Sequence, residues 1–325
     1  MHVLVVGGAG YIGSVTVDQL IEAGSEVTVL DSLVAGHREA VNDGAELVDA
    51  DVRDEDSLGR LFAGHNFDAV VNYSGYIVAP ESVRQPGRYF ANNIGGAIAL
   101  LNAMVTYGVN RFVFSSSAAV YGEPASVPIT EDQVLQPINP YGETKAAVER
   151  MLPWYEQQFG LRHVSLRYFN ACGATDARGE DHRPETHLIP NVLRVALGER
   201  EALSQYGSDY PTRDGTTVRD YVHVSDLASA HLLALEKTAT GTGAYNLGNG
   251  RGFTNREVIA AARRVSGHPI PANDEPRRGG DPPELVASNH RARAELGWDL
   301  RYTDIDEIID TAWRWHQAHP RGYPA

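Results

Sequence analysis

Tyr141 and Lys145 stand four residues apart in Tyr141-Gly142-Glu143-Thr144-Lys145. On a helix that spacing puts both side chains on one face, and Pro140 just before them suits a first helical turn. A free phenol has a pKa of about 10 and is a poor base at neutral pH. A nearby ammonium favours the phenolate, and a tuned phenol can exchange a proton with a substrate hydroxyl. Lysine occurs only at Lys145 and Lys237, every other basic residue being Arg. The planar guanidinium is no equivalent for a compact ammonium. Ser115-Ser116-Ser117 end an apolar run. At the carboxyl end of a strand, where ligands sit in open α/β sheets, a Ser hydroxyl can bond a substrate hydroxyl and Tyr141 together. Alone, a Tyr and a Lys on a helix read as surface residues and a Ser run as a turn. Their chemical reading depends on a neighbouring nucleotide site.

Gly7-Gly8-Ala9-Gly10-Tyr11-Ile12-Gly13 supplies it. Gly7, Gly10 and Gly13 follow an apolar run and open a helical pattern, the context in which a glycine turn cradles a pyrophosphate at a helix N-terminus. Asp31 closes the next apolar run. A carboxylate there accepts from the adenosine ribose hydroxyls and repels a 2′-phosphate, which favours NAD over NADP. An oxidised nicotinamide would add its positive charge to that of Lys145 in favouring the Tyr141 phenolate. Asp51-Val52 follow the third run, where Asp51 either meets the adenine amino group, with Val52 against the ring, or serves as a turn acid.

These residues need an alternating α/β frame. Runs 3–6, 26–30, 46–48, 68–72, 111–114 and 163–167 read as strands, several so rich in Val, Leu and Phe that they suit a parallel sheet buried on both faces. Segments 12–23, 54–62, 89–107 and 141–159 read as helices between them. The order predicts a Rossmann-type, doubly wound parallel sheet. Beyond about residue 170 the pattern loosens. Segments 173–186, 208–217 and 272–283 read as loops. Segments 225–236 and 303–319 read as helices, and Thr254 to Glu257 forms a capping box before another. We expect a NAD-binding domain over 1–170, rejoined by about 217–238, and a smaller substrate domain over 171–325.

The chain has 325 residues, room for two domains, and a formal net charge of −14, which argues against nucleic acid and membrane surfaces as partners. Cys172 is the one cysteine, so an intrachain disulfide and a Cys-rich zinc site are excluded. The N-terminus lacks the basic and long apolar segments of a secretion signal, and no apolar run reaches the roughly 20 residues of a membrane span. A cytoplasmic protein is expected. Glu180, Asp181, His182, Glu185 and His187 read as a solvated loop over the substrate, with no metal expected because no pattern such as H-E-x-x-H is present. Trp313 and Trp315 read as core.

Together these features resemble the extended short-chain dehydrogenase/reductase family. Ser115-Ser116-Ser117-Ala118-Ala119-Val120-Tyr121-Gly122, Asn139-Pro140-Tyr141-Gly142, Arg167-Tyr168-Phe169-Asn170 and Val218-Arg219-Asp220-Tyr221-Val222-His223-Val224 are similar to its UDP-hexose 4-epimerase branch. So is the tail, Trp313-Arg314-Trp315-His316 and His319-Pro320-Arg321-Gly322-Tyr323, and the likeness keeps its order along the whole chain. It implies an isomerase that interconverts UDP-galactose and UDP-glucose through a 4-keto sugar, with NAD as a catalytic cofactor. Tyr141 would take the 4-hydroxyl proton, helped by Ser117, and Lys145 would hold the nicotinamide ribose.

The resemblance also places Tyr11, Ile12, Asp31, Ser32, Asp51, Val52, Tyr73, Ser74, Asn92, Ser115 and Tyr168 at the cofactor. Asn170, Leu188, Tyr206, Arg219, Arg278 and Asp281 would hold the UDP moiety. Leu285 stands where some members close the sugar pocket with Tyr, which implies dual activity, on UDP-GalNAc/UDP-GlcNAc as well. Ile77 replaces a Lys of some members, and Val15 a usual His. Relatives usually dimerise through two helices, here 89–107 and 141–159. A UDP-pentose 4-epimerase shares this machinery. A nucleotide-sugar 4,6-dehydratase needs acid and base groups where this chain has Ala118 and Ala119. A non-catalytic NAD sensor does not need the intact Tyr141/Lys145 pair.

Overall fold

The computed structural model describes residues 1–279 and 281–324. Strand β1 (His2–Val6) shows why the sheet must be covered twice. Val3 and Val5 enter one core layer with Val17, Leu20 and Val29, while Leu4 and Val6 enter the other with Leu58, Leu101 and Phe114. Successive side chains point to opposite faces of a strand, so a run of Val and Leu on both needs helices on both.

The further strands are β2 (Glu26–Asp31), β3 (Glu46–Asp49), β4 (Ala69–Asn72), β5 (Arg111–Ser117), β6 (Arg162–Tyr168), β7 (Asn170–Cys172), β8 (Leu203–Tyr206), β9 (Val218–His223), β10 (Gly243–Leu247), β11 (Gly252–Thr254), β12 (Ala272–Glu275) and β13 (Glu284–Leu285). Seven of them form one sheet in the order β10-β6-β5-β4-β1-β2-β3, every neighbouring pair parallel. The order reverses between β1 and β4, and the crevice at their carboxyl ends is the ligand position of a doubly wound sheet.

The helices are α1 (Tyr11–Glu22), α2 (Glu55–Gly64), α3 (Ala79–Arg84), α4 (Pro86–Tyr89), α5 (Gly95–Thr106), α6 (Pro140–Phe159), α7 (Leu188–Ala196), α8 (Val224–Lys237), α9 (Asn255–Ser266), α10 (His290–Leu296) and α11 (Ile305–Ala318). Asn139 caps α6 by accepting from the Gly142 N–H at 2.9 Å, and Gly160, at φ 69°, ends it in the left-handed conformation. Thr254 and Glu257 form the expected capping box of α9. Val15 packs with Val224 and Ala228 and so joins α1 to α8. That is the physical role of the residue standing in place of His.

Past residue 170 the chain returns to the sheet through α8 and then β10, beyond the expected 217–238. The remaining C-terminal elements enclose a second core, where Ile189, Val192 and Leu193 of α7 meet Val258 and Ile259 of α9 and Ile308, Ile309 and Trp313 of α11. Trp315 is also buried, against Ala174 and Tyr323.

Three expectations need correction. Segment 89–107 is helical without a break to Thr106 but not a regular α-helix, because a π turn (Phe90–Ile94) lies between α4 and α5. The wider turn carries the buried Asn93, which accepts from the Tyr76 N–H and donates to Thr144 of α6. Segment 272–283 contains β12, which pairs with β8. All four of its side chains are exposed, so no hydrophobic alternation could reveal it. The 173–186 loop is not solvated throughout, since Glu180, Asp181 and Glu185 are each less than a tenth exposed.

Candidate active site

The glycine turn joins β1 to α1. Gly7 has φ +80°, and a Cβ there would lie 2.9 Å from the Ser74 backbone nitrogen. A Cβ on Gly13 would meet the Gly7 carbonyl oxygen at 2.3 Å, so this glycine lets α1 start against the turn. Gly10 differs, because the nearest atom to its added Cβ is 3.4 Å away. Nothing in the protein requires glycine there. An open position at the N-cap of α1 is what close approach of a pyrophosphate needs, and the turn fits a dinucleotide on that ground. Tyr11 and Ile12 begin α1, and the Tyr11 hydroxyl donates to the Gly173 carbonyl at 2.6 Å.

Asp31 ends β2 beside the turn, its carboxylate accepting from the N–H groups of Ala9 and Leu33 at 3.0 and 2.9 Å. Burial raises its pKa, and those two N–H groups pull the other way. Ser32 follows it, exposed. Asp51 is gripped by Arg53, with a shortest contact of 2.5 Å, and Val52 is buried in the core layer. Tyr73 shares a 2.5 Å hydrogen bond with Thr16. Ser74 donates twice to Asn72, and Asn92 donates to the Asn93 side-chain oxygen.

Tyr141 and Lys145 share the buried face of α6 with Glu149, and Ser115 to Ser117 end β5 opposite them. Burial raises the Tyr141 pKa, and the neighbouring Ser117 side chain draws it back. Lys145 is 3% exposed, and its ammonium donates to the Ser115 carbonyl at 2.8 Å. Burial lowers its pKa to about 8, opposed by Glu149. Ser117 Oγ accepts from the Ala119 N–H, and Tyr168 hydrogen-bonds Ser115.

Sequence reasoning missed the support behind this row. Glu149 and Arg167 form a buried pair with two 3.0 Å contacts and one of 2.5 Å. Glu149 also bonds Ser116, and Arg167 donates to the Tyr121 hydroxyl. The available signal was spacing, since Glu149 follows Lys145 by the same four residues that separate Lys145 from Tyr141. His231 was missed too. Its ring lies 4.6 Å from Tyr73 and 5.7 Å from Tyr168, centre to centre, and burial lowers its pKa to about 4, so it packs there neutral.

The C-terminal half brings up a second group. Arg219 on β9 donates to Asp281 at 2.7 Å and to the carbonyls of Val218 and Pro282. The Arg278 guanidinium stacks 3.8 Å above the Tyr206 ring. Asn170 donates to the Asp220 carbonyl, and Leu188 opens α7. Leu285 on β13 pairs in register with Arg219 and packs against the cluster of Ala118, Tyr121, Ala146 and Phe169. Ile77 is partly exposed. Among the described residues one loop brings carboxylates and imidazoles together, those of Glu180, His182, Glu185 and His187.

Known proteins are similar to this chain over its length. Residues 3–248 match the model of the NAD dependent epimerase/dehydratase family. The UDP-glucose 4-epimerase of Lacticaseibacillus casei is 51% identical over 327 residues, covering 99% of each chain. A crystal structure of UDP-glucose 4-epimerase from Brucella ovis in complex with NAD superimposes with a TM-score of 0.93 at 45% identity, covering 96% of this chain and 97% of that one. The UDP-glucose 4-epimerase of Bifidobacterium longum, in complex with NAD+ and UDP, superimposes with a TM-score of 0.95 at 37% identity, covering 99% of this chain and 100% of that one.

Proposed function

The chain belongs to the NAD dependent epimerase/dehydratase family, and from that premise we infer that it is an isomerase interconverting UDP-glucose and UDP-galactose at carbon 4, with NAD as cofactor. The observation that carries this reading is the meeting of Tyr141, Ser117 and buried Lys145 at the end of β5, in a chain similar to UDP-glucose 4-epimerases from end to end. NAD, when bound, supplies a reversible hydride acceptor. The protein's own groups handle protons and position.

Tyr141 would take the proton of the sugar 4-hydroxyl and give it back to the same oxygen, while inversion and the absence of net oxidation would follow from return of the hydride to the opposite face of carbon 4. Burial holds the phenol neutral in the protein alone. It becomes a base only when positive charge gathers beside it, from Lys145 and the oxidised nicotinamide. Ser117 shares the substrate hydroxyl. Lys145, already tied to the Ser115 carbonyl, holds the nicotinamide ribose. Gly7, Gly10 and Gly13 admit the pyrophosphate, with Tyr11 and Ile12 beside it. Asp31 and Ser32 face the adenosine ribose, and Asp51 and Val52 the adenine, once Arg53 yields its grip. Tyr73, Ser74, Asn92, Ser115 and Tyr168 border the rest of the cofactor. Arg219 and Arg278 bind the UDP diphosphate bidentately, and Asn170, Leu188, Tyr206 and Asp281 line the same site.

The active unit is proposed to be a cytoplasmic homodimer. Val83, Phe90, Ile98 and Trp154 leave apolar side chains exposed on α3, the π turn, α5 and α6, which supports pairing through those helices. No helix of the described residues is long and apolar enough to cross a membrane.

Purified protein given UDP-galactose, UDP-GalNAc or a UDP-pentose, without added NAD, tests the reading. UDP-glucose should form from UDP-galactose. Tyr141→Phe should lower kcat by on the order of 10²- to 10⁴-fold, the usual worth of a positioned proton-transfer group, while NAD still co-purifies. Full turnover by that variant would remove Tyr141 from the reaction. No product from any substrate, with NAD supplied, would refute the epimerase reading.

A further inference from the structure

The loop that enters α7 carries one pattern twice, Glu180-Asp181-His182 and Glu185-Thr186-His187. In an extended chain the first and third residues of such a triplet face the same side. The loop folds the two triplets together, so that one donor atom from each of Glu180, His182, Glu185 and His187 lies within 4.8 Å of all the others. We propose that these four side chains form a divalent-cation site, with Zn²⁺ as the ion they suit best.

Geometry separates this from a self-contained set of ion pairs. His187 Nδ1 lies 2.7 Å from Glu180 Oε1 and 2.9 Å from Glu185 Oε1. His182 Nδ1 lies 3.1 Å from Glu180 Oε1 and 3.6 Å from Glu185 Oε2. An imidazole Nδ1 carries at most one hydrogen, yet each of these faces two carboxylates. One cation among the four donors satisfies every contact at once. Ligand bonds of about 2.1 Å in a tetrahedron put the donors about 3.4 Å apart, within the spread of these separations.

Glu185 Oε2 supplies an independent sign. Glu185 is 7% exposed, yet Oε2 accepts no hydrogen bond and is aimed at His182. A buried carboxylate oxygen whose facing imidazole nitrogen stands off at 3.6 Å is poorly satisfied, which is costly. Charge agrees as well, since two carboxylates and two neutral imidazoles balance a dication. The two imidazoles favour zinc over calcium or magnesium, which prefer all-oxygen sites. Glu180 and Glu185 are nearly inaccessible while His187 is partly exposed, which leaves an approach from one side. Four protein ligands close the coordination sphere, as in structural rather than catalytic zinc sites.

The site lies between two functional elements. His182 meets the ring of Tyr11, at the start of α1, edge to face at 6.3 Å. His187 is the N-cap of α7 and precedes Leu188. A cation there would tie the loop between the start of α1 and the start of α7. The site stands whether or not the reaction proposed above is the right one.

The test uses the full-length, tag-free protein with its NAD. Elemental analysis after dialysis against metal-free buffer, and again after zinc is added and excess removed, should find about one zinc per chain. Replacement by Co²⁺ should give the intense visible bands of a four-coordinate ion. A chelator should lower the melting temperature of the native chain, and zinc should restore it. His182→Gln/His187→Gln should weaken zinc binding by at least about 100-fold, and circular dichroism reports whether that variant is folded. Background zinc in the native chain after addition, no chelator effect on melting, weak six-coordinate cobalt bands, or undiminished zinc in the folded double variant would each overturn the site. The native-chain measurements decide even if the variant does not fold.

Discussion

Two arginine–carboxylate pairs border the crevice, one in each half of the molecule, and they are built differently. Arg167 and Glu149 lie behind the ends of β5 and β6 with side chains 7% and 6% exposed. Their remaining hydrogen bonds go to Tyr121, Ser116 and the Glu131 carbonyl. Arg219 and Asp281 stand over the C-terminal half at 12% and 34%, joined by one short contact and two backbone carbonyls. A fully buried pair cannot exchange a partner without exposing a charge to a low dielectric. A half-open pair loses little when its carboxylate turns to water, so its guanidinium can be handed to a phosphate. The first pair therefore fixes Ser116, between Ser115 and Ser117, from behind, while the second holds a guanidinium that can change partners.

Glu149→Gln strikes the closed pair and has the larger expected effect. It leaves the Arg167 guanidinium buried without its countercharge, which typically costs about 3–5 kcal/mol. Denaturant unfolding of the NAD-bound protein should show it. A loss below about 1 kcal/mol, the size expected of a surface pair, would erase the distinction. Arg219→Ala strikes the open pair. The unfolding midpoint should barely move, while KM for UDP-galactose rises by on the order of 10- to 100-fold, the worth of charge-assisted hydrogen bonds to a phosphate. A large stability loss with unchanged KM would make Arg219 scaffold like Arg167.

The same contrast explains what could be read in advance. The strands of the parallel sheet, the glycine turn and the Tyr141/Lys145 face follow from local pattern, because a parallel sheet buries alternate residues on both faces and delivers its loops to one edge. Val3 to Val6 carry that information within a single strand. The C-terminal half has no such regularity. Strand β12 exposes all four of its side chains, and the π turn at Phe90–Ile94 depends on Asn93 reaching Thr144, far along the chain. Glu149 paired with Arg167 is likewise a meeting of distant segments. The acidic and histidine residues of 180–187 read as solvated because composition does not report that a loop folds in on itself. The doubled Glu-x-His pattern was visible there, but the convergence of its donor atoms needed the fold.

Leu285 offers the smallest and most selective test, because it belongs to both sides of the comparison. Its strand pairs with Arg219 of the open pair, while its side chain packs on the cluster containing Tyr121, which the closed pair holds. We propose that a side chain fixed in this way is a wall of the sugar pocket, as the family resemblance implies, and that it acts without touching phosphate or proton transfer. Leu285→Tyr should reduce turnover of UDP-GalNAc by on the order of 10-fold, since a bulkier wall discriminates by roughly 1–3 kcal/mol. UDP-galactose, which lacks the N-acetyl group, should be turned over at nearly the native rate. Parallel assays of the two substrates with one preparation cancel any difference in active fraction. An equal loss on both would mean that the ring disturbs Arg219 or Tyr121 instead of narrowing the pocket, and the wall would have to be sought on another element.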